Sequence, residues 1–140
     1  MVISEMSDEE LRTHRWTALS IVMQSAMASL NPVIKLQHQF TDVIHEHDSK
    51  ISKEDAIAKA GDLLEMVGIP RHRLTAYPFQ LSGGMQQRAL IALSLACEPD
   101  VVFMDEPTTA VDVIMQRQIL SQILQLQAKL GFAIVFVTHD

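Results

Sequence analysis

The sequence predicts an α/β fold rich in helix, and three observations carry that expectation. Apolar, partly β-branched runs at 17–23, 101–104 and 133–137 suit strands, the last two of them buried. The stretch between the first two runs shows helical periodicity throughout. The last portion reads strand, helix, strand, which implies a right-handed parallel crossover.

Each element has a local reason. Ser7-Asp8-Glu9-Glu10 reads as a helix start, followed by a short polar helix to about residue 15. The first strand ends at Gln24, and the small residues at 25–29 suit a loop. Asn31-Pro32 reads as a second helix start, with Val33, Leu36, Phe40 and Val43 on one buried face. Ser52 caps a third helix whose stripe is Ile57, Ala60, Leu64 and Val67, and Gly68 and Pro70 end it. After a loop at 71–81, Ser82 opens a helix to about Cys97, with Met85, Ala89, Ala92 and Ala96 as its close-packing face. Glu98-Pro99-Asp100 breaks it. Asp112 caps a long helix with Met115, Ile119, Ile123, Leu126 and Leu130 inward, stopped by Gly131.

Composition narrows the function classes. Hydrophobic residues make up 48% and charged residues 20% of the 140, ordinary values for a folded chain with a core. A net charge of -6 argues against nucleic acid as a partner, although Arg71, His72 and Arg73 form a short basic patch. One cysteine, Cys97, forms no internal disulfide, so a reducing setting is expected. The longest apolar stretches fall short of a spanning helix, so any action at a membrane is expected to run through a partner.

Four features stand in a fixed order. Leu81-Ser82-Gly83-Gly84-Met85-Gln86-Gln87-Arg88 places a serine and two glycines at a helix start. Such an end offers unpaired N–H groups and a favourable dipole to an anion; it is equally a plain capped helix with a flexible entry. Val101-Val102-Phe103-Met104-Asp105-Glu106 delivers two carboxylates at a strand's C-terminal end. One can serve Mg²⁺ while the next accepts a proton from water; the other reading is a core strand with a polar exit. His139 ends the last strand, as a phosphate contact or as polar surface, and Gln24 ends the first. His38, Asp42 and His45 share one helical face, open to reading as a metal site or, more simply, as a solvated polar face.

In order, spacing and wording these features resemble the ABC ATPase family over nearly the whole chain. Gln24 resembles the Q-loop glutamine, Leu81–Arg88 the signature, 101–106 the Walker B strand, Thr109-Ala110-Val111-Asp112 the D-loop and His139 the switch histidine. The resemblance implies a partial P-loop NTPase (RecA-like) core with an inserted helical subdomain. It divides one incomplete nucleotide-binding domain into a core part with the Q-loop at 1–28, a helical signature subdomain at 29–98, and a Walker B to H-loop part at 99–140. By the same resemblance, Gln24 and Asp105 reach Mg²⁺, Glu106 is the catalytic base that orients water, and His139 contacts the γ-phosphate. Ser82, Gly83 and Gly84 clasp ATP held mainly by a second ATP-binding subunit, and Asp112 lies at the dimer seam.

Ser29-Leu30-Asn31-Pro32-Val33, Tyr77-Pro78-Phe79-Gln80 and Glu106-Pro107-Thr108-Thr109-Ala110 look most like subunits of di- and oligopeptide importers, a group that includes nickel importers. The implied partners are transmembrane permease subunits and, indirectly, a solute-binding protein, at the cytoplasmic face of the membrane. A non-transport ABC ATPase of DNA repair or translation, or a non-catalytic interaction module, are the competing classes; the acidic balance and the importer wording disfavour the first of these.

The glycines are Gly61, Gly68, Gly83, Gly84 and Gly131, so no G-x-x-x-x-G-K-[ST] loop occurs. The chain reads as a truncated piece of the domain, with a natural half-subunit completed by another chain as the alternative. Two expectations follow. The purified chain neither binds ATP tightly nor hydrolyses it, and a micromolar dissociation constant for MgATP in calorimetry overturns this. The resemblance sets the last strand beside the missing phosphate-loop strand, leaving a hydrophobic edge open, so the chain self-associates. A monodisperse monomer in light scattering at high concentration counts against that.

Overall fold

A computed structural model describes residues 3–14, 19–22, 30–105 and 113–137. After a 3₁₀ turn at Ile3–Glu5, the elements are α1 (Asp8–His14), β1 (Leu19–Val22), α2 (Leu36–His47), α3 (Lys53–Met66), 3₁₀ turns at Arg71–Thr75 and Pro78–Gln80, α4 (Gly83–Ser94), β2 (Val101–Asp105), α5 (Val113–Leu130) and β3 (Ala133–Val137). The expected α/β architecture, rich in helix, is the one adopted.

The three strands form one sheet in the order β1-β2-β3. Both pairings are parallel, with Leu19 opposite Val101 and Val101 opposite Ala133. Parallel neighbours need long connections, and here the helical middle makes one and α5 the other. β2 is central, and its Val102 and Met104 are fully buried. Among the described residues β3 is paired on one side, and Val135, Phe136 and Val137 are 39 to 51% exposed, which corrects the expectation of a buried strand at 133–137.

One core joins the helices to the sheet. α2 supplies Leu36, Phe40 and Ile44, α3 supplies Ala56, Ala60, Leu63 and Leu64, and α5 supplies Ile119, Ile123 and Leu126. Alanines on α3 and α4, including Ala89 and Ala92, are buried with almost no exposure, which lets those helices approach closely.

α1 opens with a capping box: the Glu10 amide donates to Ser7 Oγ, and the Ser7 amide donates to Glu10 Oε2. At α3, Ser52 Oγ accepts from the Asp55 amide at 3.1 Å, as a cap should. Its other end is a Schellman turn. The Gly68 amide donates to Glu65 O and the Ile69 amide to Leu64 O, with Gly68 at φ +77. Leu64 and Ile69 are both fully buried beside it.

Several expectations are corrected. Asn31-Pro32 does not start a helix. Asn31 Oδ1 accepts from the Val33 amide, closing a turn, and Gln39 Nε2 donates to the carbonyls of Asn31 and Ile34. Those bonds satisfy the turn's polar groups without a helix, so α2 starts at Leu36 and Val33 is 76% exposed instead of facing the core. The 71–81 loop contains two 3₁₀ turns. α4 stops at Ser94, three residues before Cys97, and Glu98 adopts φ 50 just before Pro99. Leu130, expected inward, is 45% exposed at the last turn of α5. The Met115 side chain and the Asp112 cap lie outside the described residues. Among the described residues, no helix is long and apolar enough to cross a membrane.

Gly68 and Gly131 share a left-handed φ but differ in space. A Cβ at Gly68 stands 2.9 Å from Gln122 Nε2, whereas at Gly131 nothing lies within 4 Å. Gly68→Ala is therefore expected to lower stability by about 1–3 kcal/mol, the range for a strained backbone, and Gly131→Ala by less. Guanidinium denaturation of both variants measures the difference, and equal losses overturn the steric part of the argument.

Candidate functional site

The entry to α4 is built from its own neighbours. The Pro78–Gln80 turn closes on itself, with the Tyr77 amide donating to Gln80 Oε1 and the Leu81 amide to Pro78 O. Gln86 Nε2 then reaches back to the carbonyls of Pro78 (2.8 Å) and Leu81 (3.2 Å), bracing the loop against the helix it precedes. Leu81 is buried and anchors the segment.

Ser82 is the N-cap, and its Oγ accepts from the Met85 amide at 3.2 Å. The first intrahelical bond runs from the Gln86 amide to Ser82 O. The amides of Gly83 and Gly84 therefore precede the helical ladder and point out of its end. No acidic side chain occupies the first turn of α4, whereas Glu54 and Asp55 occupy that of α3. Both helices carry a serine cap, but only α4 leaves the positive end of its dipole uncompensated by carboxylates in its first turn. Ser82 is exposed, Gly83 half-buried and Gly84 buried. This donor set suits a phosphate oxygen.

Arg88 adds a cation to the same helix. Nε lies 3.4 Å from Gly84 O and Nη1 3.3 Å from Val67 O. Burial draws its pKa down, though not to a point that removes its charge near neutrality. In the sequence, Gln86 and Arg88 carry no signal beyond their place in the octet.

The other predicted residues fall at or beyond strand ends. Because β1, β2 and β3 run parallel, Val22, Asp105 and Val137 leave the sheet at one edge, the C-terminal edge where open α/β sheets bind ligands. Asp105 ends β2 opposite Val137, and its side chain lies outside the described residues. Gln24, Glu106, Asp112 and His139 also lie outside them; Gln24 and His139 follow β1 and β3 by two residues in sequence, and Glu106 follows β2 by one.

Three further sites resolve simply. His38 and Asp42 are exposed, and His45 Nδ1 bonds the Thr41 carbonyl at 2.8 Å, which suits a solvated helix face. Among the described residues no cluster of three or more such groups could hold a metal. The basic patch is reduced by pairing: Arg71 bonds Asp62 at 2.6 Å and Glu65 at 2.8 Å, which holds the Glu65 carboxyl below its usual range. Cys97 is buried, and burial pushes its thiol up.

Comparison with known proteins agrees with this arrangement. The sequence profile of the ABC transporter family matches residues 3–109. The oligopeptide transport ATP-binding protein OppD of Bacillus subtilis is 44% identical over 137 residues, covering 96% of this chain and 38% of that protein. The dipeptide transport ATP-binding protein DppD of Caldanaerobacter subterraneus is 44% identical over 136 residues, 96% of this chain and 42% of its own length. The glutathione import ATP-binding protein GsiA of Salmonella choleraesuis is 44% identical over 140 residues, 99% of this chain and 22% of its length. The chain thus spans less than half of these relatives.

The dimeric structure of a bacterial ABC transporter cassette superposes with a TM-score of 0.81 at 29% identity, over 99% of this chain and 59% of that one. A dimeric post-hydrolysis state of an ATP-binding cassette, bound to ADP and Pi, gives 0.80 at 29% identity, over 97% and 58%. The fold is that of part of a P-loop NTPase cassette, and the chain belongs to the ABC transporter family.

Proposed function

We propose that this chain is part of the ATP-binding and ATP-hydrolysing subunit of an ABC importer that powers uptake of di- or oligopeptides. The observation that carries the reading is the N-terminus of α4: a serine cap, two uncommitted glycine amides and a first turn free of carboxylates. The names of the relatives, transport ATP-binding proteins for oligopeptides and dipeptides, support the substrate class.

In this reading Ser82, Gly83 and Gly84 receive the terminal phosphate of ATP held mainly by a second ATP-binding subunit. Gln24 and Asp105 hold Mg²⁺, Glu106 orients the attacking water and accepts its proton, and His139 contacts the γ-phosphate. Asp112 lies along the dimer seam. Mg²⁺ supplies charge neutralisation at the phosphates, and the chain's own residues position the reactants, which is where phosphoryl-transfer catalysis mostly originates. Permease subunits bring the assembly to the cytoplasmic face of the membrane, and a solute-binding protein delivers the cargo.

The test uses the complete ATP-binding subunit that carries this sequence. Glu106→Gln is expected to lower ATP turnover by about 10²–10⁴-fold, the contribution typical of a positioned general base, with MgATP affinity retained. Turnover within a few-fold of the unsubstituted subunit overturns the assignment of Glu106. Stimulation of turnover by peptide-loaded binding protein in reconstituted vesicles, set against nickel-loaded protein, tests the cargo class.

A further inference from the structure

Arg88 is a half-buried cation whose partners among the described residues are carbonyls, not carboxylates. Its side chain runs back along α4, as helical side chains do, so that Nε meets Gly84 O in the first turn. Nη1 crosses to Val67 O, the C-cap carbonyl of α3. A cation at a helix C-terminus is favourable there, and the bond satisfies a carbonyl the helix leaves free.

Across Gly68 stands Gln122 of α5. The point a Cβ would occupy on Gly68 lies 3.2 Å from Arg88 Nη1 and 2.9 Å from Gln122 Nε2. Gln122 Oε1 is buried and has no hydrogen-bond partner among the described residues. A half-turn of the amide, whose two ends have nearly the same shape, brings the orphaned oxygen to the Gly68 side, where Arg88 Nη1 also lies. Glycine at 68 is then required twice, for its φ of +77 and for the room it leaves between the two side chains.

We propose that Arg88 is a positioning residue for the anion-binding turn of α4, acting through a polar junction of Arg88, the Val67–Gly68 turn and Gln122 that ties this turn to α5. α5 begins at Val113, directly after the segment that holds Glu106 and Asp112 in sequence. The junction thus connects, within one chain, the turn presented to a neighbour's nucleotide and the helix leading out of the carboxylate segment. Without Arg88, Gly84 O and Val67 O lose their common partner, and the open amides of Gly83 and Gly84 lose the brace behind them. The inference rests on the function proposed above.

The experiment uses the complete ATP-binding subunit in a Glu106→Gln background, so that the ATP-bound dimer persists. MgATP affinity of the monomer, ATP-dependent dimerisation by sedimentation and Tm are measured for each variant. Arg88→Met is expected to weaken ATP-dependent dimerisation at least about tenfold while monomer MgATP affinity changes less than twofold, since the turn acts on the neighbour's nucleotide. Arg88→Lys restores only part, because an ammonium does not fork between two carbonyls. Gln122→Leu weakens dimerisation several-fold, and the double variant is no weaker than Arg88→Met alone.

Unchanged dimerisation in Arg88→Met, full additivity in the double variant, or an equal loss of monomer MgATP affinity each overturns the proposal. If Arg88→Met does not fold, Gln122→Glu decides: a carboxylate facing Arg88 raises Tm if the junction exists, and an unchanged or lower Tm counts against it. Failure of the underlying functional reading has a different signature. The subunit with intact Arg88 and Gln122 then shows neither MgATP binding nor ATP-dependent dimerisation, which sinks both.

Discussion

β2 is hydrogen-bonded along both edges, and that double parallel pairing is the constraint on which the remaining geometry depends. A strand flanked on both sides has no free backbone groups; on one face Val102 and Met104 are buried completely, and on the other Val101 and Phe103 are half-buried. Parallel pairing also fixes direction. All three strands release the chain at the same edge, and every predicted cis-acting group lies in sequence at a strand's last residue or within two residues beyond it. The sheet is small, but it decides where chemistry can assemble.

The helices between β1 and β2 have a different task. α3 and α4 both open with a serine cap of the same geometry, yet the electrostatics of their first turns are opposite. Glu54 and Asp55 complement the dipole of α3 and give it a purely structural start. Gly83 and Gly84 set no carboxylate against the dipole of α4, and the half-buried Gly83 keeps the backbone there open to approach. The cost in helix stability of two glycines is roughly 2 kcal/mol by intrinsic propensity. It is offset by Gln86 and by Arg88, whose side chains bind back to the loop and the first turn.

Much of this was legible in the sequence because it rests on short-range chemistry. The Ser52 and Ser82 caps, the Gly68 stop and the apolar strands each follow from a few adjacent residues, and each appears where those residues stand. What was not legible depends on partners distant in sequence. Asn31-Pro32 has the local chemistry of a helix start, but Gln39, eight residues on, satisfies the turn and delays the helix to Leu36. Arg88 meets Val67 across 21 residues, and Gln122 approaches Gly68 from another helix. No period or cap rule encodes such meetings. The octet was recognisable as wording, while the struts behind it emerged only from the packing.

The register that sets Leu19 against Val101 also orders events in time. More than eighty residues separate the two strands, so closing that loop comes late, whereas the Ser7–Glu10 box, the Ser52 cap and the Gly68 turn need only near neighbours. On a ribosome β1 emerges before the helical block and waits for β2 while that block is synthesised and consolidates. Of these three strands β1 is made before its partner β2, so its pairing edge stays open to a chaperone until more than eighty further residues have been added.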